Sequence, residues 1–239
     1  MKSRLGVNVD HIATLRNARG EEHPDPISYA RQVMNFGANS ITIHLREDRR
    51  HIRDEDVAIF SKIKRVPINL EMAANNEMLK IALKYKPNFV CIVPEKRNEI
   101  TTEGGLNITK NKKIIKKVIS KLNSKKIRTS LFINPNIKDV FASKELNAKC
   151  VELHTGKFAL KVKNNKNYFV ELKKIKNCAT LAKKLGMEVH AGHGLDYKST
   201  KILRKIKSIE EFNIGHFIIG EAIMFGMKKV ITNFRKILN

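Results

Sequence analysis

Strand-like segments alternate with helix-like segments along the whole of the 239-residue chain. The short aliphatic segments that predict strands lie at 4–9, 40–44, 67–72, 88–93, 127–133, 148–153, 187–192 and 212–219. The stretches that predict helices lie at 26–37, 54–64, 75–85, 110–124, 136–144, 168–185, 197–207 and 220–237. About eight β/α units in a chain of this length are typical of a (β/α)8 TIM barrel. We predict an α/β protein in which residues 1–239 form a single barrel domain.

Polar side chains occupy every second position of several predicted strands. Asn69 and Glu71 alternate with aliphatic residues, and Glu152 and His154 do the same three strands later. Because strand side chains alternate between two faces, these polar groups share the inner face of a barrel while the aliphatic groups face the helices. An open doubly wound sheet is the alternative. It requires apolar central strands and a Gly-rich first turn, and neither is present.

Titratable side chains gather at the predicted carboxyl ends of the strands, where barrel enzymes carry their active sites. Glu71 is a candidate general base, since a partly buried carboxyl group has a raised affinity for protons. His44 and His193 are candidate proton carriers, because imidazole titrates near neutral pH. The set read from the strand ends is Asp10, His11, His44, Arg46, His51, Glu71, Glu95, Lys96, Arg97, Thr101, Glu152, His154, His193 and His216.

Glycines near the last two strands predict a phosphate site. Gly192 and Gly194 flank His193 after strand seven, and Gly215 and Gly220 precede the last predicted helix. Backbone N–H groups in such turns and at helix N-termini bind phosphate in many barrels.

Arginines predict a second anion site after strand two. Arg46, Arg49 and Arg50 lie close to His51, and guanidinium groups pair well with phosphate oxygens. We expect the segment 10–24, with Arg16 and Arg19, to be a loop that closes over a ligand.

The sequence also raises two other chemistries, metal binding and a Schiff-base lysine. His190 and His193 are three residues apart on one strand, so they face opposite sides and are poorly placed for one metal ion. We predict no metal site and assign His190 to the filling of the barrel. Lys96 is a candidate nucleophile of the Schiff-base type, although Glu95 and Arg97 beside it favour an ion pair.

Composition limits the partners. The net charge is +24, but aromatic residues are only 6% of the chain, and no nucleic-acid-binding motif interrupts the Lys-rich helices. We therefore predict solvated helix faces, with nucleic-acid binding as the alternative. Three scattered cysteines favour a reducing compartment, and neither a long apolar run nor a signal peptide is present. We predict a cytoplasmic protein without membrane partners.

Eight longer motifs lie along the chain: NVDHIATLRNARG (8–20), HLREDRRH (44–51), NLEM (69–72), VPEKR (93–97), TTEGG (101–105), ELHTG (152–156), AGHGL (191–195) and NIGH (213–216). Together they resemble the pyridoxine 5'-phosphate synthase family over the full chain. The resemblance implies a barrel with a few extra helices, assembled as a homo-octamer of dimers. It also implies a transferase-class enzyme that needs no cofactor and binds two phosphorylated substrates.

The implied reaction condenses 1-deoxy-D-xylulose 5-phosphate with 3-amino-2-oxopropyl phosphate. Its products are pyridoxine 5'-phosphate, inorganic phosphate and water. In this resemblance Glu71 and His44 are proton acceptors, His193 is the proton donor and Glu152 stabilises the transition state. The implied contacts to the first substrate are Asp10, His11, Arg46, His51 and Thr101. The implied contacts to the second substrate are Asn8, Arg19, Gly194, Gly215 and His216.

Since the substrate amine supplies the imine nitrogen, the implied reaction removes the need for Lys96 as a nucleophile. Another phosphate-binding barrel enzyme, such as an aldolase or isomerase, is the remaining enzymatic alternative.

Overall fold

A computed structural model describes residues 2–95 and 104–239. Within them, eight parallel strands close into a barrel in chain order, and the last strand pairs with the first. The strands are β1 (Arg4–Asn8), β2 (Ser40–His44), β3 (Ile68–Met72), β4 (Phe89–Ile92), β5 (Arg128–Ile133), β6 (Cys150–His154), β7 (Glu188–Gly192) and β8 (Glu211–Ile214). The predicted TIM-barrel fold is confirmed.

Helices surround the barrel, and the described residues contain eleven of them. They are α1 (Asp10–Arg19), α2 (Pro26–Asn35), α3 (Asp54–Phe60), α4 (Asn76–Tyr85), α5 (Ile108–Ser124), α6 (Ile137–Glu145), α7 (Gly156–Lys163), α8 (Phe169–Lys184), α9 (Tyr197–Leu203), α10 (His216–Phe225) and α11 (Met227–Leu238). In this described part of the chain, no helix combines the length and the apolar character needed to cross a membrane.

Three helices depart from the sequence prediction. The predicted loop 10–24 was wrong over residues 10–19, which form α1, and α7 was not predicted at all. The predicted strand 212–219 was also wrong, because β8 ends at Ile214 and α10 begins at His216. A short apolar run such as 217–219 fits a strand or a buried helix equally well, so its pattern alone did not distinguish them.

The inner and outer faces of the strands differ in polarity, as predicted. Leu5, Val7 and Leu70 are buried on the outer face in the apolar core that joins strands to helices. The inner face brings polar groups together: a side chain at Gly6 would collide with the Asn213 amide, since its Cβ would lie 2.0 Å from Oδ1. The barrel therefore encloses a polar interior inside an apolar layer.

Charged side chains fill the barrel at the amino ends of the strands. Arg4 donates to Glu211 (Nε–Oε2 2.7 Å) and forms an ion pair with Glu188. Arg128 Nη1 lies 2.9 Å from Glu188 Oε2, and His190 Nε2 lies 3.0 Å from Glu188 Oε1. Burial raises the pKa of Glu211, but His190 and Arg4 outweigh it and hold the pKa below its ordinary value. His190 thus fills the barrel, and this end is a network of paired charges.

Removing the Glu211 charge tests the contribution of this network to stability. Glu211→Gln removes the buried carboxylate that accepts from Arg4 and pairs with His190, while Arg4 keeps its ion pair with Glu188. We expect the free energy of unfolding to fall by about 2 kcal/mol in urea titrations at neutral pH. Glu210→Gln is the matched control. That carboxylate forms a surface ion pair with Lys183 (2.7 Å), and its loss should cost less than about 1 kcal/mol. Equal costs for the two variants would contradict this account.

Candidate active site

Two carboxyl groups lie inside the barrel near the carboxyl ends of the strands, Glu71 on β3 and Glu152 on β6. Glu152 Oε2 accepts a hydrogen bond from Asn213 Nδ2 (2.7 Å) and lies 4.0 Å from the Cys91 sulfur. Gly192 leaves room for this carboxyl group, since a Cβ there would be 2.1 Å from Glu152 Oε1. The missing side chain at 192 is therefore a condition for the position of Glu152.

Burial sets the protonation of both groups. It raises the pKa of Glu71 well above its ordinary value, and the nearby Glu152 and Asp10 raise it further. Burial also raises the pKa of Glu152 to about 7, against the opposing effects of His190 and the Asn213 hydrogen bond. Burial therefore favours the protonated form of Glu71, while Glu152 is divided between its two forms near neutral pH.

His44 lies between two carboxyl groups at the end of β2. Its Nε2 is 3.0 Å from Glu95 Oε1, and its Nδ1 is 3.8 Å from Glu71 Oε2. Its side chain is 11% exposed. The arrangement places an imidazole where it can exchange a proton with Glu71 or with a ligand beside it.

Asn8 and Asp10 hold the backbone beside His44. Asp10 Oδ1 accepts from the His44 N–H (2.8 Å), and Asp10 Oδ2 accepts from Asn8 Nδ2 (2.7 Å). Burial raises the pKa of Asp10 to about 6, although His44 and these hydrogen bonds oppose it. Asn8 and Asp10 thus connect the ends of β1 and β2.

A cationic region lies beside this group. Arg46 lowers the pKa of Asp10 and of His51, so its charge acts on both. The Arg46 Nε is buried and donates no hydrogen bond within the described residues; the nearest carboxylate oxygen is on Asp48, at 3.4 Å. Burial, followed by His44 and Arg46, lowers the pKa of His51 to about 4. His51 is therefore a neutral donor or acceptor at neutral pH.

Asp10, His44 and His51 present potential metal ligands within 4.8 Å of one another. Each already takes part in internal hydrogen bonds: Asp10 as described above, His44 to Glu95, and His51 Nδ1 from the Ile52 N–H (2.9 Å). A metal ion would have to displace some of these contacts.

A second imidazole group lies across the mouth. His154 and His193 stack with ring centroids 4.8 Å apart, and Phe132 packs edge-on against His154. Burial lowers the pKa of both histidines, that of His154 to about 4. Gly156 permits the stack, since a Cβ there would lie 2.9 Å from each ring. His193 follows β7 in a left-handed backbone conformation, with a φ of 79°.

The glycines of the predicted phosphate site have different positions. Gly194 follows His193 with a φ of 75°, and Gly215 passes close to Asn8, where a Cβ would lie 2.8 Å from the Asn8 Cβ. His216 begins α10 and packs against His11 at 5.0 Å. Gly220 does not precede a helix as predicted, because it lies inside α10.

Several of the predicted arginines form ion pairs with carboxylates of the protein. This finding corrects the predicted anion site of Arg46, Arg49, Arg50 and His51, and also the predicted lid at 10–24. Arg16 is buried in a two-pronged ion pair with Asp56 (2.6 and 2.8 Å) that fastens α1 to α3. Arg49 binds Asp54 and Glu77, and Arg50 pairs with Asp48. Of this set, Arg46 and His51 remain near the carboxyl groups.

Arg19 forms no hydrogen bond or ion pair with the other predicted site residues in the described part of the chain. It ends α1, its side chain is 79% exposed, and it contacts Glu21 at 3.6 Å. Lys96, Arg97 and Thr101 lie outside the described residues.

Sequence reasoning assigned no role to two residues that complete the site. Asn213 lay in the predicted strand 212–219, which is longer than β8, and no role was assigned to it. It follows the apolar Phe212, and this alternation predicts that the Asn213 side chain faces the barrel interior. Glu95 was noted at a strand end, but only the folded chain shows that it contacts His44.

The raised pKa of Glu152 predicts a pH-dependent cost to stability. A Glu in the unfolded chain releases its proton near 4.5, whereas folded Glu152 keeps it to about 7. The folded state binds more protons in that window, so this group lowers stability as the pH rises through it, in total by on the order of 3 kcal/mol. Glu152→Gln cannot ionise, so its stability relative to wild type should rise between about pH 4 and about pH 8.

Urea titrations across that range measure the difference. Glu145→Gln, which removes an exposed carboxylate on α6, is the control and should track wild type. A Glu152→Gln difference that does not change with pH would contradict the assigned shift.

Comparison with known proteins identifies the relatives of this chain. Residues 5–239 match the family described as pyridoxal phosphate biosynthesis protein PdxJ. A protein named pyridoxine 5'-phosphate synthase from Pelagibacter ubique is 63% identical over 236 residues, which cover 99% of each chain. A protein of the same name from Zymomonas mobilis is 50% identical over 99% of this chain and 91% of its own.

The fold is shared more widely. The tryptophan synthase A-subunit of Pyrococcus furiosus superposes with a TM-score of 0.63, covering 100% of this chain and 99% of its own, at 14% identity. That likeness concerns the barrel alone, whereas the sequence match to the family extends over nearly the whole chain. The chain therefore belongs to the family of the pyridoxal phosphate biosynthesis protein PdxJ.

Proposed function

We propose that this chain is a pyridoxine 5'-phosphate synthase that condenses 1-deoxy-D-xylulose 5-phosphate with 3-amino-2-oxopropyl phosphate. The observation that carries the proposal is the gathering of Glu71, Glu152 and His44 at one barrel mouth, with the His154–His193 stack nearby. Ring formation from these substrates requires repeated proton transfers and losses of water. Carboxyl groups and imidazoles can donate and accept the protons that these steps move.

The amine of one substrate attacks the ketone of the other, so the imine nitrogen comes from the substrate. No lysine of the protein needs to form a covalent bond in this scheme. Glu71 begins protonated, because burial raises its pKa, and it donates its proton to the hydroxyl group that leaves as water. The carboxylate that remains is the base for the next carbon-bound proton, with His44 beside it as the partner that accepts or returns protons.

Glu152 supplies negative charge from the far side of the barrel. The Asn213 amide holds it, and its pKa of about 7 lies close to the working pH. Cationic iminium character that develops in the substrate favours the carboxylate form, which in turn stabilises the transition state. His193 is mainly neutral at neutral pH, since burial lowers its pKa, so it takes up a proton before it donates one.

Two anion subsites accept the two phosphates in this proposal. The first uses Arg46, whose buried Nε has an open donor, together with His51. Thr101, Asp10 and His11 complete the contacts to deoxyxylulose phosphate. The second subsite uses the backbone around Gly194 and Gly215, with Asn8, Arg19 and His216 as its side chains.

We also propose that the chain works in the cytoplasm as a homo-octamer. Apolar side chains exposed on α10 support assembly: Ile223 is 71%, Met224 76% and Phe225 53% exposed. A surface of this kind is typical of protein contacts. Sedimentation equilibrium of the purified chain tests the octamer, and a monomer mass at micromolar concentration would exclude it.

An end-point assay tests the proposed reaction. The purified chain is mixed with both substrates in the presence of EDTA, and pyridoxine 5'-phosphate and inorganic phosphate are quantified. We expect stoichiometric formation of both products without added metal. Folded protein that forms neither product, with or without divalent metal, would exclude this function.

Glu71→Gln tests the proton role. Glutamine keeps the size of the side chain but can neither donate nor accept the transferred proton, so we expect kcat to fall by about 10²- to 10⁴-fold. Glu77→Gln, on the exposed face of α4, is the control and should retain wild-type turnover. Near-normal product formation by Glu71→Gln would remove Glu71 from the acid–base chemistry.

A further inference from the structure

We propose that Glu95 is a positioning residue that fixes the tautomer and the orientation of the His44 ring for proton transfer. The proposal rests on the function proposed above and adds a third member to the pair formed by Glu71 and His44. Its basis is a continuous line of contacts from Glu95 through the imidazole to Glu71.

Both oxygens of the Glu95 carboxylate are held. Oε1 lies 3.0 Å from His44 Nε2, and Oε2 accepts the Glu47 backbone N–H at 2.8 Å. The Glu95 side chain is 3% exposed, so water does not compete for these bonds. Burial raises the pKa of Glu95, but the His44 and Glu47 contacts outweigh that effect and bring it below its ordinary value. Glu95 is thus a carboxylate at neutral pH.

A carboxylate only accepts hydrogen bonds, so the contact requires a proton on His44 Nε2. In the neutral ring Nδ1 then carries the lone pair. Nδ1 faces Glu71 Oε2 at 3.8 Å, a separation that leaves room for a substrate atom or for a small approach of the two groups. The ring therefore presents its basic nitrogen to the chemistry.

The backbone of His44 is fixed independently. Asp10 Oδ1 accepts the His44 N–H at 2.8 Å, which holds the end of β2. With the backbone held by Asp10 and the ring held by Glu95, His44 keeps one orientation. When Nδ1 takes a proton, the adjacent Glu95 carboxylate stabilises the imidazolium that results. Carboxylates behind catalytic imidazoles act in this way in other enzymes.

Glu95→Gln tests the proposal by turnover. Its amide can donate to a ring nitrogen, which favours the opposite tautomer. We expect kcat to fall by about 10²- to 10⁴-fold, with KM for each substrate changed by less than about threefold. Glu95→Asp keeps the charge and should recover part of the loss. Glu145→Gln, an exposed carboxylate on α6, is the control for a lost negative charge and should keep the wild-type kcat.

Nitrogen-15 NMR of ring-labelled histidine gives a readout that does not depend on turnover. The His44 signals, assigned by their loss in His44→Gln, should show the Nε2–H tautomer in wild type and lose that preference in Glu95→Gln. A wild-type ring with its proton on Nδ1, or an unchanged kcat in folded Glu95→Gln, would overturn the proposal. If Glu95→Gln does not fold, the wild-type spectrum and Glu95→Asp decide. If the wild type makes no product but has the Nε2–H tautomer, the proposed function is wrong while the contact between Glu95 and the His44 ring is confirmed.

Discussion

The burial of carboxyl groups in the barrel without a cationic partner is the constraint from which the site follows. Among the described residues, no lysine or arginine forms an ion pair with Glu71 or Glu152. An unpaired carboxylate in such a place is costly, so the proton is retained and both pKa values rise. The same burial demands space and a donor, which Gly192 and Asn213 provide for Glu152.

The two ends of the barrel treat acidic groups in opposite ways. At the amino ends, Arg4 and Arg128 pair with Glu188, and Arg4 also pairs with Glu211, so that ion pairs connect four strands. These charges hold the pKa of Glu211 below its ordinary value. At the carboxyl ends, the acids share space with one another and with neutral imidazoles. Paired charges add stability and rigidity, whereas unpaired acids hold protons that a reaction can use. Barrel enzymes divide stability and chemistry between these two faces.

The sequence predicted the barrel because its strands have one polar and one apolar face, and this pattern survives folding. It placed Glu71, Glu152 and His44 together, since parallel strands bring their carboxyl ends to one edge. The sequence prediction was wrong where the same residue type can serve either a binding site or a structural ion pair. Arg16 and Arg49 resembled anion ligands, but they pair with Asp56 and Glu77, which lie 40 and 28 positions away in the sequence.

Helix α1 and the start of α10 were missed for a related reason. Each begins directly after a strand with a residue of the predicted site, Asp10 or His216, and these were assigned to loop and strand. The contact between Glu95 and His44 joins residues 51 positions apart, and no local pattern marks it. Pairings of this kind depend on the closed sheet and become visible only in three dimensions.

Infrared spectroscopy of Glu71 in the empty site is the most direct test of this account. A difference spectrum between wild type and Glu71→Gln at neutral pH isolates the signal of this side chain. The account predicts a protonated carboxylic-acid carbonyl band in wild type, shifted by ¹³C labelling of glutamate and retained above the ordinary titration range of Glu. A spectrum with carboxylate bands alone would show that burial does not hold the proton, and the sequence of proton transfers proposed here would be wrong.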